Sequence, residues 1–286
     1  MGRIEETFAR LRSTNTAAFM PYITAGDPSL PATKDLLTEL EQAGADLVEL
    51  GIPFSDPVAD GPVIQASHHR ALSAGCRVDK IFQMMREVRE GGLNIPIVAM
   101  VSYSVVFRRG IDRWAKDAAE AGFDGLIVPD LPIDEADELA SIARENGLRP
   151  VQLVTPATPE ERARRIAEAS QGFIYYVSVK GTTGARDRLP DDMVENIRRL
   201  KSWTDTPVCL GFGVSTPAQA AAVAEFADGV IVGSALVRLI AEGGGSNESS
   251  IGAVVALAKQ LAEAVHSTER TCPANGDVGE GKRENA

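Results

Sequence analysis

Histidine and cysteine are both scarce in this sequence: three residues of each occur in a chain of 286. His68 and His69 are adjacent, so on a helix they would point in different directions and could not bind one metal ion together; we expect both at the surface. Cys76, Cys209 and Cys272 are far apart and form no CxxC motif, which is typical of free thiols in a reducing compartment. We predict no metal site and no cofactor, so any chemistry must depend on carboxylates, hydroxyl groups and backbone amides.

The chain also lacks a net positive charge and long apolar segments. The chain has 29 basic and 40 acidic residues, a formal net charge of -11, which would repel a nucleic acid backbone. No apolar run approaches the length of a membrane-spanning helix. The first residues, MGRIEETFARLR, are charged where a secretory signal would be apolar. We therefore expect a cytoplasmic protein that binds neither nucleic acid nor membranes.

Eight short apolar runs rich in β-branched residues recur along the chain, separated by segments with helical periodicity. Three follow a similar phrase, AGADLVELG, AGFDGLIVP and FADGVIVGS, in which a helix end and an aspartate precede the strand. Thr158-Pro159 and Thr216-Pro217 each predict a helix start with a capping hydroxyl before a first-turn proline. The eight predicted strands are residues 17–24, 45–52, 95–102, 123–130, 149–155, 172–178, 206–212 and 228–234.

This order predicts an α/β fold, a single-domain (β/α)8 TIM barrel over residues 1–266, because near-continuous apolar strands indicate a parallel sheet covered by helices. An open, doubly wound sheet is the alternative, but the loop TAGDPSLP after the first strand has one glycine and no dinucleotide-binding fingerprint. The first helix presents Ile4, Phe8 and Leu11 on one face and should plug the barrel floor. Residues 267–286 turn polar and glycine-rich, which predicts a disordered tail.

The segment LVELGIPFSDPVADGP, residues 47–62, begins as an apolar strand that a glutamate interrupts. Because alternate residues of a barrel strand point inward, positions 47, 49 and 51 should face the interior, and positions 48, 50 and 52 the helices. Glu49 would then be an interior carboxylate near the carboxyl end of a strand, where barrel enzymes carry catalytic groups. Asp56 and Asp60 follow in a loop that we expect to extend for about two dozen residues before the next helix; each is equally compatible with a turn and with a site.

Small residues are concentrated after the last three predicted strands, in KGTTGAR (180–186), GFGVS (211–215) and VGSAL (232–236). Glycine lets backbone amides approach an anion closely, and the helix expected after the last strand would add the positive end of its dipole. The final loops of such barrels commonly bind phosphate. The sequence therefore favours a phosphorylated small-molecule substrate.

Together these motifs resemble the tryptophan synthase alpha chain family over roughly residues 1–265. The segments that carry the resemblance are PYITAGDP, VELGIPFSDPVADGP, GFDGLIVPDLP, YYVSVKGTTGAR, GFGVS and VGSA. The resemblance implies a lyase of L-tryptophan biosynthesis that cleaves indole-3-glycerol phosphate by a retro-aldol reaction into indole and glyceraldehyde 3-phosphate. It also implies an alpha2-beta2 complex with a tryptophan synthase beta chain.

Roles for individual residues follow from the same resemblance. Glu49 would be the catalytic acid and base, protonating carbon 3 of the indole ring before the ring can leave. Asp60, kept ionised by its polar loop, would be the second catalytic carboxylate and would hold or accept the proton of the ring nitrogen. The implied substrate-binding residues are Tyr22, Tyr175, Thr183 and Phe212; the implied phosphate-binding residues are Gly184, Gly213, Gly233 and Ser234; the implied partner interface contains Pro53, Asp56, Pro57, Asp130 and Pro132.

The chain also departs from the family pattern. Ser102-Tyr103-Ser104 stands where the family usually has Tyr-x-Asn, which affects the expected pocket rim and beta-chain surface. Lys180 stands where a small or neutral residue is common. Residues 180–189, which are polar and contain two glycines, are predicted to form a mobile lid over the substrate. There are three alternative functions. Another phosphate-sugar barrel enzyme would not explain the presence of both Glu49 and Asp60, and the same pair argues against a non-catalytic activator of the beta chain. The third alternative is a stand-alone indole-releasing lyase.

Overall fold

The computed structural model describes residues 2–178, 191–211, 213–243 and 247–271. Eight parallel strands pair in chain order and β8 pairs with β1, which closes the sheet and confirms the predicted (β/α)8 barrel. Each strand lies inside its predicted run and is shorter, because the chain leaves the ladder where it turns into a loop. The strands are Ala18–Thr24 (β1), Val48–Gly51 (β2), Ile97–Met100 (β3), Gly125–Ile127 (β4), Arg149–Val154 (β5), Ile174–Val177 (β6), Val208–Gly211 (β7) and Gly229–Val232 (β8).

Helices alternate with these strands and surround the barrel, as the predicted order requires. In the described part of the chain, no helix combines the length and the apolar character needed to cross a membrane. The helices are Arg3–Ser13 (α1), Leu30–Gln42 (α2), Pro62–Ser73 (α3), Val78–Glu90 (α4), Tyr103–Arg109 (α5), Ile111–Glu120 (α6), Asp137–Glu145 (α7), Glu160–Ala169 (α8), Asp191–Lys201 (α9), Pro217–Ala224 (α10), Ser234–Glu242 (α11) and Asn247–His266 (α12), with a 3-10 turn at Ile133–Glu135.

The wall of the barrel separates two apolar clusters. Val48, Leu50 and Ile52 belong to the cluster between the strands and the helices, whereas Leu47 belongs to the cluster inside the barrel. This alternation confirms the predicted orientation of β2, and it directs Glu49 into the interior.

The inner cluster includes side chains of α1. Ile4, Phe8 and Leu11 are buried in it, and the ring centroid of Phe8 lies 6.2 Å from that of Phe173. The prediction that α1 plugs the floor is therefore confirmed.

The aspartate of each repeated phrase has the same structural role. Asp46, Asp124 and Asp228 each accept a hydrogen bond from a backbone N–H of the preceding strand, at 3.0, 2.8 and 2.9 Å. These bonds fix the amino-terminal ends of the strands, opposite the face where barrel sites lie. Basic partners surround each carboxylate: Arg10 and His266 for Asp46, Arg3 and Arg89 for Asp124, Lys201 and Arg270 for Asp228.

Two expectations about helix starts are wrong. The loop after β2 contains only the ten residues 52–61, because α3 begins at Pro62, and proline is well suited to the first helical position. Thr158 does not cap α8; its hydroxyl accepts the backbone N–H of Thr155 at 3.0 Å and Pro159 precedes the helix. The expectation is confirmed at Thr216, whose hydroxyl accepts the N–H of Gln219 at the start of α10.

Residues 267–271 continue to contact the barrel. The side chain of Arg270 is 2% exposed and donates to Asp228 Oδ1 at 2.6 Å, and the backbone N–H of Thr271 donates to a carbonyl beside α10 at 2.9 Å. Packing therefore extends past the predicted boundary at residue 266. Most of the predicted tail, residues 272–286, lies outside the described residues.

Candidate active site

Glu49 lies on β2, beside Tyr22 of β1 and Val98 of β3 in the strand register. Its side chain is fully buried, and neither carboxylate oxygen has a hydrogen-bond partner among the described residues. Burial disfavours the charged form, so the pKa of Glu49 is raised well above its ordinary value. A carboxyl held in its acid form in this way can give a proton to a ligand and take one back.

Asp60 lies at the end of the loop that follows β2. Its side chain is 24% exposed, and burial, followed by repulsion from Asp130, raises the pKa of Asp60 to about 6. The loop thus opposes ionisation of Asp60, contrary to the expectation from its polar sequence. A carboxyl with a pKa of about 6 is nevertheless mostly charged at pH 7. Glu49 and Asp60 therefore differ in protonation state, as an acid and base pair requires.

A cleft opens at the carboxyl ends of the first four strands. Apolar groups such as Phe54 and Met100 line it together with the carboxylate of Asp60. Tyr22, the register neighbour of Glu49, also lines the cleft. An apolar cleft with a few polar groups is the usual form of a small-molecule site.

Two tyrosines in this region are packed against glycines at the ends of strands. Gly51 faces the hydroxyl and ring of Tyr22, and Gly211 faces those of Tyr175, so closely that a Cβ at either glycine would overlap the tyrosine. Burial and, for Tyr175, the neighbouring Glu49 raise the pKa of both phenols, so both remain neutral. The role of the two glycines does not follow from the sequence, because only the strand register shows which side chain each one faces.

The expected phosphate-binding residues that the structure describes lie after the neighbouring strands β7 and β8. Gly213 has a φ of 77°, which glycine adopts without strain. Gly233 precedes α11 and Ser234 begins it, so the positive end of this helix lies at the same face of the barrel as the cleft. A Cβ on Gly233 would lie 3.4 Å from Cβ of Tyr22, which places the helix start beside the site. Outside the described residues lie Thr183, Gly184, Phe212, Lys180 and the predicted lid at 180–189.

The expectation that His68 lies at the surface is wrong, whereas His69 is exposed as expected. His68 is buried on α3, with Nε2 3.2 Å from the Tyr22 hydroxyl and 4.0 Å from Asp60 Oδ2. Ala71, three positions later, is buried on the same helix face. The spacing of His68 and Ala71 is a sequence signal for this buried face, but it can be used only when a helix is predicted from Pro62 onward.

The five residues implied for a partner interface do not share one environment. Asp56, Asp130 and Pro132 are exposed and Pro57 is partly exposed, but Pro53 is buried. The structure therefore removes Pro53 from the accessible surface and leaves the other four on it.

Ser102, in the segment that departs from the family pattern, makes hydrogen bonds at the edge of the cleft. Its hydroxyl caps α5 and also donates to Asp130 Oδ2 at 2.7 Å. The backbone N–H of Tyr103 donates to Asp130 Oδ1 at 2.8 Å. The Ser102-Tyr103-Ser104 segment thus holds the loops after β3 and β4 together.

Metal ligands and reactive thiols are other groups that could support catalysis in the residues that the structure describes. Within them, no group of three or more His, Cys, Asp or Glu side chains is arranged to hold a metal ion. Cys76 and Cys209 are buried free thiols. Burial raises the pKa of Cys76 to about 11 and the pKa of Cys209 well above its ordinary value, which makes both poor nucleophiles.

A closed parallel barrel with a buried carboxyl, a rim carboxylate and a helix start at the carboxyl ends of its strands defines the class of (β/α)8 barrel enzymes. The model of one family, tryptophan synthase alpha chain, matches residues 8–266. The tryptophan synthase alpha chain of Geotalea daltonii is 49% identical over 238 residues, 83% of this chain and 90% of that protein. That of Geotalea uraniireducens is 46% identical over 266 residues, 93% of this chain and 99% of that protein.

Solved structures agree with these relatives. The tryptophan synthase alpha chain of Legionella pneumophila superposes with a TM-score of 0.84 at 37% identity, covering 93% of this chain and 97% of that chain. A chain of Mycobacterium tuberculosis tryptophan synthase superposes with a TM-score of 0.84 at 38% identity, covering 93% and 98%. The chain belongs to the tryptophan synthase alpha chain family.

Proposed function

We propose that this chain cleaves indole-3-glycerol phosphate into indole and glyceraldehyde 3-phosphate, the alpha reaction of tryptophan biosynthesis. The observation that carries the proposal is Glu49, a fully buried carboxyl without a hydrogen-bond partner in the described part of the chain. An unpartnered buried carboxyl costs stability, so its position at the active face of a barrel points to proton transfer.

Glu49 begins the reaction as an acid. An indole carbanion is a poor leaving group, so carbon 3 of the ring must be protonated before the bond to the side chain breaks. The carboxyl proton of Glu49 moves to carbon 3, which leaves a cationic ring with a C=N bond and a Glu49 carboxylate. The raised pKa of Glu49, caused by burial, supplies the proton at neutral pH.

Asp60 then stabilises the cationic ring. Its carboxylate holds or accepts the N–H proton, whose acidity rises as the ring nitrogen loses electron density. Glu49 takes the proton of the substrate hydroxyl on the carbon attached to the ring, and this carbon becomes the aldehyde of glyceraldehyde 3-phosphate. The electrons of the broken carbon–carbon bond return to carbon 3 and restore indole, with Glu49 again in its acid form.

The remaining site residues position the substrate. Tyr22 and Tyr175 are neutral rings near Glu49 and would contact the indole ring, with Thr183 and Phe212 assigned the same role by resemblance alone. The start of α11 lies beside Tyr22, which supports phosphate binding there. The proposed phosphate-binding residues are Gly184, Gly213, Gly233 and Ser234.

A tryptophan synthase beta chain is the proposed partner, in an alpha2-beta2 assembly. Val58 and Phe107 are 76% and 67% exposed and follow β2 and β3, on the same face as the accessible interface residues Asp56, Pro57, Asp130 and Pro132. Exposed apolar side chains of this size support a docking surface. The buried free thiols support the proposed cytoplasmic location. The continuous barrel supports one catalytic domain over residues 1–266.

Indole release from indole-3-glycerol phosphate, measured with and without a cognate beta chain, tests the function. We expect slow release by the chain alone and faster release in the complex, because a partner can favour loop closure. Full activity that no beta chain changes would identify a stand-alone lyase. Stimulation of the beta chain without any indole release would identify a non-catalytic activator and overturn the proposal.

A further inference from the structure

Hydrogen bonds determine the protonation state of His68. The backbone N–H of Phe54 donates to Nδ1 of His68 at 3.2 Å, so Nδ1 acts as an acceptor and carries no proton. The imidazole is then neutral, with its proton on Nε2. Burial lowers the pKa of His68, which agrees with a neutral ring.

A row of buried hydroxyl groups independently indicates the same tautomer of His68, with the proton on Nε2. Ser67 donates its proton to the carbonyl oxygen of Ile64 at 2.7 Å, so it must accept at its 2.6 Å contact with Thr24. Because each hydroxyl has one proton, Thr24 in turn accepts from Tyr22 at 3.3 Å. Tyr22 must then accept from Nε2–H of His68, at 3.2 Å. Every donor in the row has one acceptor, and its direction is fixed.

This arrangement connects the two sides of the candidate site. Nδ1 of His68 holds the backbone of the loop that carries Asp60, while Nε2–H orients the phenol of Tyr22, the register neighbour of Glu49. The Nε2 atom of His68 lies 4.0 Å from Asp60 Oδ2. We infer that His68 is a positioning residue, which as a neutral Nε2–H imidazole fixes the Asp60 loop relative to Tyr22 and Glu49. The effect on catalysis rests on the proposed function.

Two substitutions separate the two contacts of His68. His68→Asn keeps an acceptor near the position of Nδ1 and removes the donor to Tyr22, so we expect the KM for indole-3-glycerol phosphate to rise. His68→Gln keeps an amide donor near Nε2 and removes the loop contact, so we expect kcat to fall because Asp60 is no longer held. One lost hydrogen bond predicts a change of about three- to tenfold in each case. His69→Asn and His69→Gln, on the exposed neighbour, are the matched controls.

A His68→Ala variant should combine both losses and lower kcat/KM by more than either single substitution. Thermal unfolding of all five variants separates loss of folding from loss of positioning. Kinetic constants of the two conservative His68 variants that match those of the His69 controls would overturn the inference.

The tautomer gives a readout that does not depend on the reaction. The chain contains three histidines, so their nitrogen resonances can be assigned in labelled protein by substituting each in turn. We expect Nδ1 of His68 to resonate as an unprotonated nitrogen and Nε2 as an N–H at neutral pH. An Nδ1–H tautomer, or a charged ring, would overturn the network itself. Absence of indole release by the unmodified chain, with the expected tautomer present, would instead place the failure in the proposed function.

Discussion

Asp60 and Asp130 line the same cleft, and the charge of Asp130 adds to burial in raising the pKa of Asp60 to about 6. Hydrogen bonds from Ser102 and Tyr103 hold Asp130 in place. A residue on the proposed partner surface thus acts on the electrostatics of a proposed catalytic group.

The pH dependence of turnover should report this interaction. Asp60 must be ionised to stabilise the cationic ring, so kcat/KM should fall as the pH drops through about 6, where Asp60 gains a proton. Asp130→Asn removes the repulsion and should move this acidic limb to lower pH. The pH profiles of both proteins, with the exposed Asp35→Asn as control, measure the shift. An acidic limb at the same pH in Asp130→Asn would contradict the interaction.

Glu49→Gln should abolish most of the cleavage activity. The amide has the same shape but cannot exchange the proton, so we expect kcat to fall by about 10²- to 10⁴-fold. Affinity for a non-cleavable indole-alkyl phosphate should change little. Indole release and analogue binding are measured on this variant and on the exposed control Glu90→Gln. Parallel loss of binding and activity would assign Glu49 a structural role instead.

Gly51→Ala should destabilise the barrel through the ring of Tyr22. The added Cβ would overlap the Tyr22 hydroxyl and ring, and overpacking of this kind costs about 1–3 kcal/mol. Tyr22→Leu removes the overlapping atoms, so in that background the cost of Gly51→Ala should largely disappear. Urea unfolding of the two single variants and the double variant measures the coupling. Additive losses would show that Tyr22 and Gly51 do not compete for space.

Gly252 of α12 is exposed and provides a control for Gly51→Ala with an effect of the opposite sign. A Cβ at Gly252 meets no atom within 4 Å. Gly252→Ala should therefore stabilise the helix by about 0.5–1 kcal/mol.

Arg270→Met should destabilise the protein without changing indole release at low temperature. The arginine is buried against Asp228, far from the active face, and Lys201 still pairs with Asp228 in the variant. We therefore expect the cost of one buried hydrogen bond to a charged group, about 1.5–3 kcal/mol. Nearby Lys201 and Arg270 outweigh burial and lower the pKa of Asp228. The pair's contribution is therefore present above the unfolded pKa of Asp228 and is lost as the pH falls through its lower folded value. Unfolding at pH 7 and pH 3, with the exposed Arg238→Met as control, tests both statements.

The boundaries of elements show where local patterns stop being informative. Thr158 and Thr216 stand in the same Thr-Pro context, yet only Thr216 caps its helix, because Thr158 is drawn to Thr155 in its own loop. The start of α3 at Pro62 was missed because a single proline after Asp-Gly is typical of turns as well as of helix starts.

The sequence by itself determined the barrel, the direction of Glu49 and the family. Successive side chains of a strand point to opposite sides of the barrel wall, so the position of each apolar run sets which residues face the interior. The repeated phrase with an aspartate marks the starts of three of these strands. The tertiary structure alone decided the environment of each group. Tyr22 and His68 are 46 positions apart, and Arg270 and Asp228 are 42 apart; no local pattern specifies such a contact. The raised pKa of Asp60 has the same origin, because burial and the neighbouring Asp130 both arise only when the barrel closes.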